Sequence, residues 1–415
     1  MSVHTRLVAG NKEDTEAWVR AVHVGFLRLQ ELTEEDLATR QARQDFSRAA
    51  GVFDGDRCVA TYKSFAQEMT VPGGGVVSSN AVTGVTVTAT HRRKGLLRGL
   101  ITEDLRAAKE RGDVVSALDA AEYRIYGRFG YGPTTSAVTW RVDVTRAGLD
   151  ARRTGREGEG GISFLDAAQV REIGPELHER FRRTQPGAID RDPLFWDLHT
   201  GAVRVGSRPW ELPYWALHRD ADGVPQGLVS YHVTHGRRGN LDTAELKVGS
   251  LIAATPAAER ALWLFLLSHD RVTTLTAELS APDAMLPLLL PDRRAASVTE
   301  DSDFIWLRPL DLPRMLEART YGVEDEIVLD VRDPLGLAQG RYLLAASPEG
   351  ASATPTGRDA DLTLDTTALA QLYLGDESAV RLVAAGQVTA GRAEAPVRAD
   401  LLFRTGRRPW CPDGF

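Results

Sequence analysis

The stretch Val85-Thr86-Val87-Thr88-Ala89-Thr90-His91-Arg92-Arg93-Lys94-Gly95-Leu96-Leu97-Arg98-Gly99-Leu100 decides the reading of this chain. An alternating β-branched run stops at Ala89-Thr90, three basic residues and a glycine follow, and a helical pattern begins. The order is strand, tight turn, helix N-terminus. Such a turn aims several backbone N–H groups at one point, and the helix dipole adds positive potential there. Arg92, Arg93 and Lys94 add full charges, and Gly95 lets a bulky group approach the backbone closely. The arrangement suits a pyrophosphate. It has neither the Gly-Lys-Ser/Thr of a nucleotide P-loop nor the repeated glycines of a dinucleotide fingerprint.

On the N-terminal side, 3–8 reads as a strand and 12–29 and 33–46 as helices. The second helix opens on Thr33 with Asp36 three positions on, an acidic variant of the capping box. Strands are predicted over 52–54, 58–67 and 77–88, with turns at Asp54-Gly55 and at 72–75. The helix over 95–111 is closed by Gly112, and 114–119 is the next strand. Strand, helix and strand in that order predict a parallel βαβ unit in a mixed sheet. A helical segment over 124–129 and a strand over 134–144 complete a first domain, 1–145. The glycine-rich 146–161 reads as a linker.

A second α/β region, 162–307, contains an echo of the first. Aligning Thr255 with Thr90 sets Ala257 against Arg92 and Arg260 against Gly95. The basic turn is lost there, so the region reads as a degenerate repeat. The third region, 308–415, is predicted to hold a helix over 311–321 and strands near 326–330, 341–345 and 361–364. A helix follows from Thr366 to about 374, another apolar segment runs over 379–385, and 399–403 reads as a last helical turn. The tail from 406 has two prolines and is no regular helix. Its end, Trp410-Cys411-Pro412-Asp413-Gly414-Phe415, is unusually apolar for a frayed terminus.

Composition sets the bounds. The chain has 415 residues, 43% of them hydrophobic and 26% charged, as in ordinary globular proteins. A net charge of −7 argues against nucleic-acid binding and favours the steering of cations. Two cysteines, Cys58 and Cys411, make no disulfide framework and no zinc pattern; Cys58 sits in an alternating run and reads as core. His232 and His235, three apart on a predicted strand, face opposite sides, so no metal is expected. Residues 1–10 show no signal sequence and no apolar run could span a bilayer, so the expectation is a cytoplasmic protein without a membrane partner.

Three segments together resemble the Eis (enhanced intracellular survival) family of GNAT N-acetyltransferases. They are 85–98, the run Ala121-Glu122-Tyr123-Arg124-Ile125-Tyr126-Gly127-Arg128-Phe129-Gly130-Tyr131-Gly132-Pro133, and the C-terminal region with Leu372-Tyr373-Leu374-Gly375 and a terminal Phe415. The likeness spans nearly the whole chain and is strong over 82–135. Leu97 stands where general GNAT enzymes usually carry Gly or Ala, and that departure fits the Eis version. The resemblance implies an α/β fold of two GNAT-like domains in tandem, the second inactive, and a C-terminal domain similar to sterol carrier proteins. It also implies a homohexamer and acetyl-CoA as donor. The coenzyme contacts it implies are Val85, Thr86 and Val87, then Arg93, Lys94, Gly95, Leu96, Leu97 and Arg98, then Ala121 and Glu122. It makes Tyr126 the general acid and the terminal carboxylate of Phe415 the base.

These roles make chemical sense. An amine attacking a thioester gives an oxyanion, which a backbone N–H near Val87 at a strand bulge would stabilise, and then a leaving thiolate. A phenol is a donor of the right type for that thiolate. A carboxylate both attracts the ammonium substrate and takes its proton. The acceptor is expected to be a small-molecule or peptidyl amine of aminoglycoside, polyamine or lysine type. Phe26 on the first helix places an aromatic in a wall where the family often has acids, which disfavours polycations. Two other readings compete: a non-catalytic acyl-CoA sensor, and a lipid-binding protein using the third domain. The joint presence of Tyr126 and a chain ending at Phe415 favours catalysis.

Overall fold

The alternation of β-branched residues becomes a central strand, and the helical apolar stripe at 96–111 becomes a helix packed on the same sheet. The computed structural model describes residues 3–28, 32–149, 160–205, 210–238 and 241–415. The chain begins β1 (Val3–Leu7), α1 (Lys12–Gly25), α2 (Glu34–Arg43), β2 (Ala49–Asp54), β3 (Arg57–Thr70), β4 (Val76–Val87), α3 (Leu96–Arg111), β5 (Val115–Asp119), α4 (Tyr123–Tyr126) and β6 (Gly132–Pro133). It continues with β7 (Ser136–Asp143), α5 (Val144–Ala147), β8 (Gly161–Leu165), α6 (Ala167–Arg182), α7 (Pro193–His199), β9 (Tyr214–Arg219), β10 (Pro225–Arg238), β11 (Leu241–Ala253), α8 (Pro256–Leu267), β12 (Val272–Ser280), α9 (Leu286–Leu289), β13 (Ala296–Asp303) and β14 (Ile305–Pro309). The last part is α10 (Leu312–Glu317), β15 (Asp325–Arg332), β16 (Gly340–Ser347), β17 (Gly350–Pro355), β18 (Leu362–Asp365), α11 (Thr366–Tyr373), α12 (Ala379–Ala384), β19 (Val388–Ala390) and α13 (Ala395–Phe403).

Three sheets result. The first runs β1-β2-β3-β4-β5-β14-β6, the second β13-β7-β12-β11-β10-β9-β8 and the third β17-β16-β15-β18-β19. Sheet membership crosses the chain boundaries at 145 and 307. β7 leaves the first unit to pair with β12 and β13 in the second sheet. β14 returns to lie between β5 and β6 in the first. The two units have traded strands, and a residue pattern such as Ile305-Trp306-Leu307 is apolar whichever sheet it joins.

Local chemistry explains most element ends. Thr33 and Asp36 form the reciprocal capping box at the start of α2. Gly112, at φ +86, closes α3 by returning its N–H to Ala108 and Lys109. Leu100, Ile101, Leu105 and Ala108 give α3 its buried face. Asp104 on the same helix accepts from Tyr62 at 2.9 Å, Ser64 at 2.6 Å and Asn80 at 2.7 Å, which pins α3 to β3 and β4. The first helix is shorter than its pattern predicts: α1 stops at Gly25, Phe26 caps it, and Leu27 turns to φ +55. The edge strand β17 has no apolar alternation and was not predicted. The proposed linker at 146–161 falls largely on 150–159, outside the described residues. Among the described residues no helix is long and apolar enough to cross a membrane.

The first two sheets carry the same device. β4 and β5 pair in parallel only over Ser79–Val82 and Val115–Leu118, and β4 then runs on to Val87 with β3 as its one partner strand. β11 and β12 pair in parallel from Ala244 to Val248, and β11 runs on to Ala253. Each central strand bulges just past the split. β4 holds one residue more than β3 at Gly84-Val85, opposite Tyr62, and β11 holds one more than β10 at Gly249. Gly84 sits at φ +62, and a Cβ there would lie 2.9 Å from the Trp18 ring, so α1 closes directly over the bulge.

Candidate active site

The turn after β4 is an open cradle. Arg93 at φ +63 and Gly95 at φ +77 both take the left-handed conformation, which points successive N–H groups inward. Gly95 is the N-cap of α3 and no side chain caps the helix. Its four leading N–H groups are therefore free for a ligand. A Cβ at Gly95 or Gly99 would meet nothing within 4 Å. Arg93, Lys94 and Arg98 are exposed. Arg92 is turned back onto the Val87 carbonyl at 3.5 Å, and buried His91 meets Asp54 at 3.3 Å, which fixes the turn.

The corresponding end of the second sheet is built differently. Thr255 caps α8 by accepting from Ala258 at 3.2 Å, and Pro256 opens the helix with no intervening turn. Glu259 brings a carboxylate into the first turn, and Arg260 lies inside the helix. An anion finds no free helix end there.

Val85, Thr86 and Val87 line the split beyond Val82, where β5 no longer supplies partners. Thr86 is a bolt as well. Its hydroxyl meets that of Thr61 at 2.6 Å, and a Cβ on Gly25 would lie 2.4 Å from Thr86 Cβ. Leu96 and Leu97 are half-buried at the start of α3. Ala121 and Glu122 are exposed beyond the end of β5, leading into α4.

Tyr126 is buried at the end of α4, packed with Leu118, Val82, Leu100 and Tyr131 on the α3 face of the sheet. Burial, with Asp119 and then Glu122, pushes its phenol up to about 12. Tyr131 is structural: it is fully buried and its hydroxyl meets Ser116 at 2.7 Å. The loop is braced from the third unit. A Cβ on Gly130 would lie 2.4 Å from the Thr366 hydroxyl, and one on Gly132 would lie 2.2 Å from the Thr367 carbonyl. Arg308 on β14 pairs with Asp333 at 2.7 Å, both fully buried.

Phe415 lies on the opposite face. Its ring meets Phe65 edge-on at 5.8 Å, and it packs with the cluster containing Ala117, Phe304 and Cys411. Gly414 lies against Phe304 and the Asp119 carboxylate; a Cβ there would be 3.6 Å from each. Ala117 and Leu118 are consecutive residues of β5 and face opposite sides. Tyr126 and Phe415 therefore approach the end of β5 from the two faces of one sheet.

Lys63, which the sequence did not single out, stands on the Phe415 face. It pairs in register with Thr83, beside the bulge. Its ammonium is 5.4 Å from the Phe46 ring centre and 6.0 Å from that of Phe65. Burial lowers its pKa; Asp45 and Asp192 oppose the shift. Phe26, by contrast, is partly exposed at the C-cap of α1 and carries Arg28 over its ring. Cys58 is core, its thiol raised to about 12 by burial.

Comparison with known proteins agrees with this fold. Residues 7–134 and 187–308 each match an acetyltransferase (GNAT) domain, and 312–412 match a sterol carrier protein domain. An uncharacterized N-acetyltransferase of Streptomyces avermitilis is 52% identical over 403 residues, covering 97% of this chain and 96% of its own. The N-acetyltransferase Eis of Mycobacterium tuberculosis is 34% identical over 340 residues, 81% of this chain and 80% of its own. The crystal structure of Eis1 from Mycobacterium abscessus superimposes with a TM-score of 0.84 at 30% identity, covering both chains fully. A chain with two GNAT domains, a sterol-carrier-like third domain and this degree of identity belongs to the Eis family of N-acetyltransferases.

Proposed function

We propose that the chain transfers an acetyl group from acetyl-CoA to an amine by direct attack on the thioester. The observation that carries this reading is the split between β4 and β5. An uncapped, cation-lined cradle stands at its mouth, and Tyr126 and Phe415 flank it on opposite faces. Arg93, Lys94, Arg98 and the N–H groups of α3 hold the pyrophosphate, with Leu96, Leu97, Ala121 and Glu122 around the bound coenzyme. The β4 backbone from Val85 to Val87 holds the acyl carbonyl and stabilises its oxyanion. The carboxylate of Phe415 takes a proton from the amine as it attacks, and Tyr126 gives one to the departing sulfur. Screening amines for acetyl-CoA-dependent thiol release tests the reading; no turnover with any amine, despite coenzyme binding, would leave an acyl-CoA sensor. The assembly we expect is the homohexamer that the resemblance implies, in the cytoplasm.

One cleft of the third domain is rimmed by Asp325, Glu326, Arg358, Asp361, Arg392 and Arg398, a charged surface unsuited to an acyl tail.

Two further expectations follow from the cradle. Gly95→Trp should weaken acetyl-CoA binding by at least about tenfold, because the residue must hold φ +77 and the indole fills the ligand's approach. Calorimetry on the folded variant is the check, and unchanged affinity would remove the turn from the site. Titration of the native protein should give one coenzyme per chain, since Thr255 and Glu259 occupy the equivalent end of α8.

Lys63 bears on the acceptor. A cation on the acceptor face disfavours polycationic amines and favours an amine that carries an anionic group. Lys63→Met should raise kcat/KM for a polyamine relative to an amino-acid-like amine by about tenfold, the scale of one partly screened charge. An unaltered ratio would place Lys63 outside acceptor selection.

A further inference from the structure

The split in the second sheet is filled by the chain itself. It is bounded by Val248, Ser250 and Leu251 of β11 and by Leu279 and Ser280 around the end of β12. Trp410 and Pro412 enter it from the tail, and about 40 Å³ of free space remains, against roughly 300–1,000 Å³ in a ligand pocket. The Trp410 indole is part of the second core, 6.0 Å from the Phe181 ring. Its Nε1–H donates to the Leu279 carbonyl at 2.8 Å, and its backbone N–H donates to Pro186 at 2.9 Å. Leu279 itself is held at φ +46, a costly conformation for a leucine.

Further contacts secure the segment on both sides. Arg407 reaches Glu259 in the first turn of α8 at 3.5 Å, so a carboxylate and a guanidinium of the chain stand where the first sheet leaves an open cradle. Asp413 is buried and grips Arg191 through both oxygens, at 2.9 and 2.8 Å. The Arg191 guanidinium also lies 4.2 Å from the Phe195 ring centre. Two residues later the chain ends at Phe415 on the first sheet. Trp410 belongs to the second core and Cys411 to the first, so the tail crosses between the domains in a single step.

We infer that the second GNAT domain is a receptor for the chain's own C-terminal segment. Its former coenzyme split binds Trp410 and Pro412, and Arg191 clasps Asp413 to present the terminal carboxylate to the first domain. Arg191, Asp413 and Trp410 are positioning residues. The inference rests on the reading of the Phe415 carboxylate as base, and it adds a reason for a GNAT domain with no coenzyme cradle: its split serves a peptide instead. A bidentate pair fixes direction as well as distance, which a base at a chain end requires.

The test measures the tail directly. Native protein, Asp413→Asn and Trp410→Phe are exposed to a carboxypeptidase, and loss of Phe415 is followed by mass spectrometry alongside kcat and the KM for acetyl-CoA. Asp413→Asn removes the charge and keeps the shape; Trp410→Phe keeps a ring in the split and loses only the indole hydrogen bond. Circular dichroism confirms folding, and Trp410→Phe decides the matter if Asp413→Asn fails to fold. Both variants are expected to lose Phe415 at least tenfold faster than native protein, with kcat reduced and the KM for acetyl-CoA unchanged. Release no faster than native in the folded variants would overturn the inference. Faster release with native kcat would keep the receptor and overturn the carboxylate as base.

Discussion

Tyr126→Phe is expected to lower kcat by about 10²-fold, the usual contribution of one acid–base group, and to leave acetyl-CoA affinity unchanged. The phenol is buried, and its pKa of about 12 keeps it protonated across the working range. That value makes it a weaker acid than a free tyrosine. The same dry surroundings also raise the pKa of a departing thiol, so donor and acceptor shift together. Two measurements check the assignment. Steady-state rates give the loss in kcat. The pH profile of the native enzyme should show no alkaline fall attributable to this group below about pH 10, the range in which an unperturbed phenol begins to ionise. Near-native kcat in Tyr126→Phe would move the acid elsewhere. Tyr131 is a poor successor, because its hydroxyl is already shared with Ser116 inside the core.

Adding a few residues after Phe415 is expected to cost activity as heavily as deleting Phe415, with a loss of about 10²- to 10⁴-fold in each case. The extension keeps the ring against Phe65 but carries the carboxylate away. Were the tail there only to pack, the extended protein would keep its rate and the deleted one alone would suffer. Steady-state assays of native, extended and deleted proteins, with circular dichroism to confirm folding, separate the two cases. Full activity in the extended protein would leave the proton acceptor to be sought among Asp119 and its neighbours.

Much of the first domain was legible because its signals are local. The capping box at Thr33, the stop at Gly112 and the basic turn into α3 each lie within a few residues of sequence. The repeat was legible for a similar reason. Thr90 and Thr255 each follow their bulge glycine, Gly84 and Gly249, by the same interval, and the loss of the basic turn at 257–260 is plain in the residues. Long-range features were not legible. Arg191 and Asp413 lie 222 residues apart, and neither stands in a pattern that demands the other. The α1 terminus escaped because Phe26 and Leu27 continue an apolar pattern while the backbone has already turned. Lys63 escaped because a single lysine in a strand ordinarily faces water.

The traded strands also constrain how this protein can be made. β5 gains its neighbour β14 only after the entire second domain has been synthesised, since Asp119 pairs with Ile305. On the ribosome the first sheet therefore waits, its β5 edge exposed, until residue 309 has left the exit tunnel. Exposed edges of that kind invite pairing with other chains, so nascent chains arrested between 150 and 300 should be the aggregation-prone species and clients of chaperones. Evolution faces the same tie: neither half can be lost, shuffled or recruited alone without leaving a gap in the other.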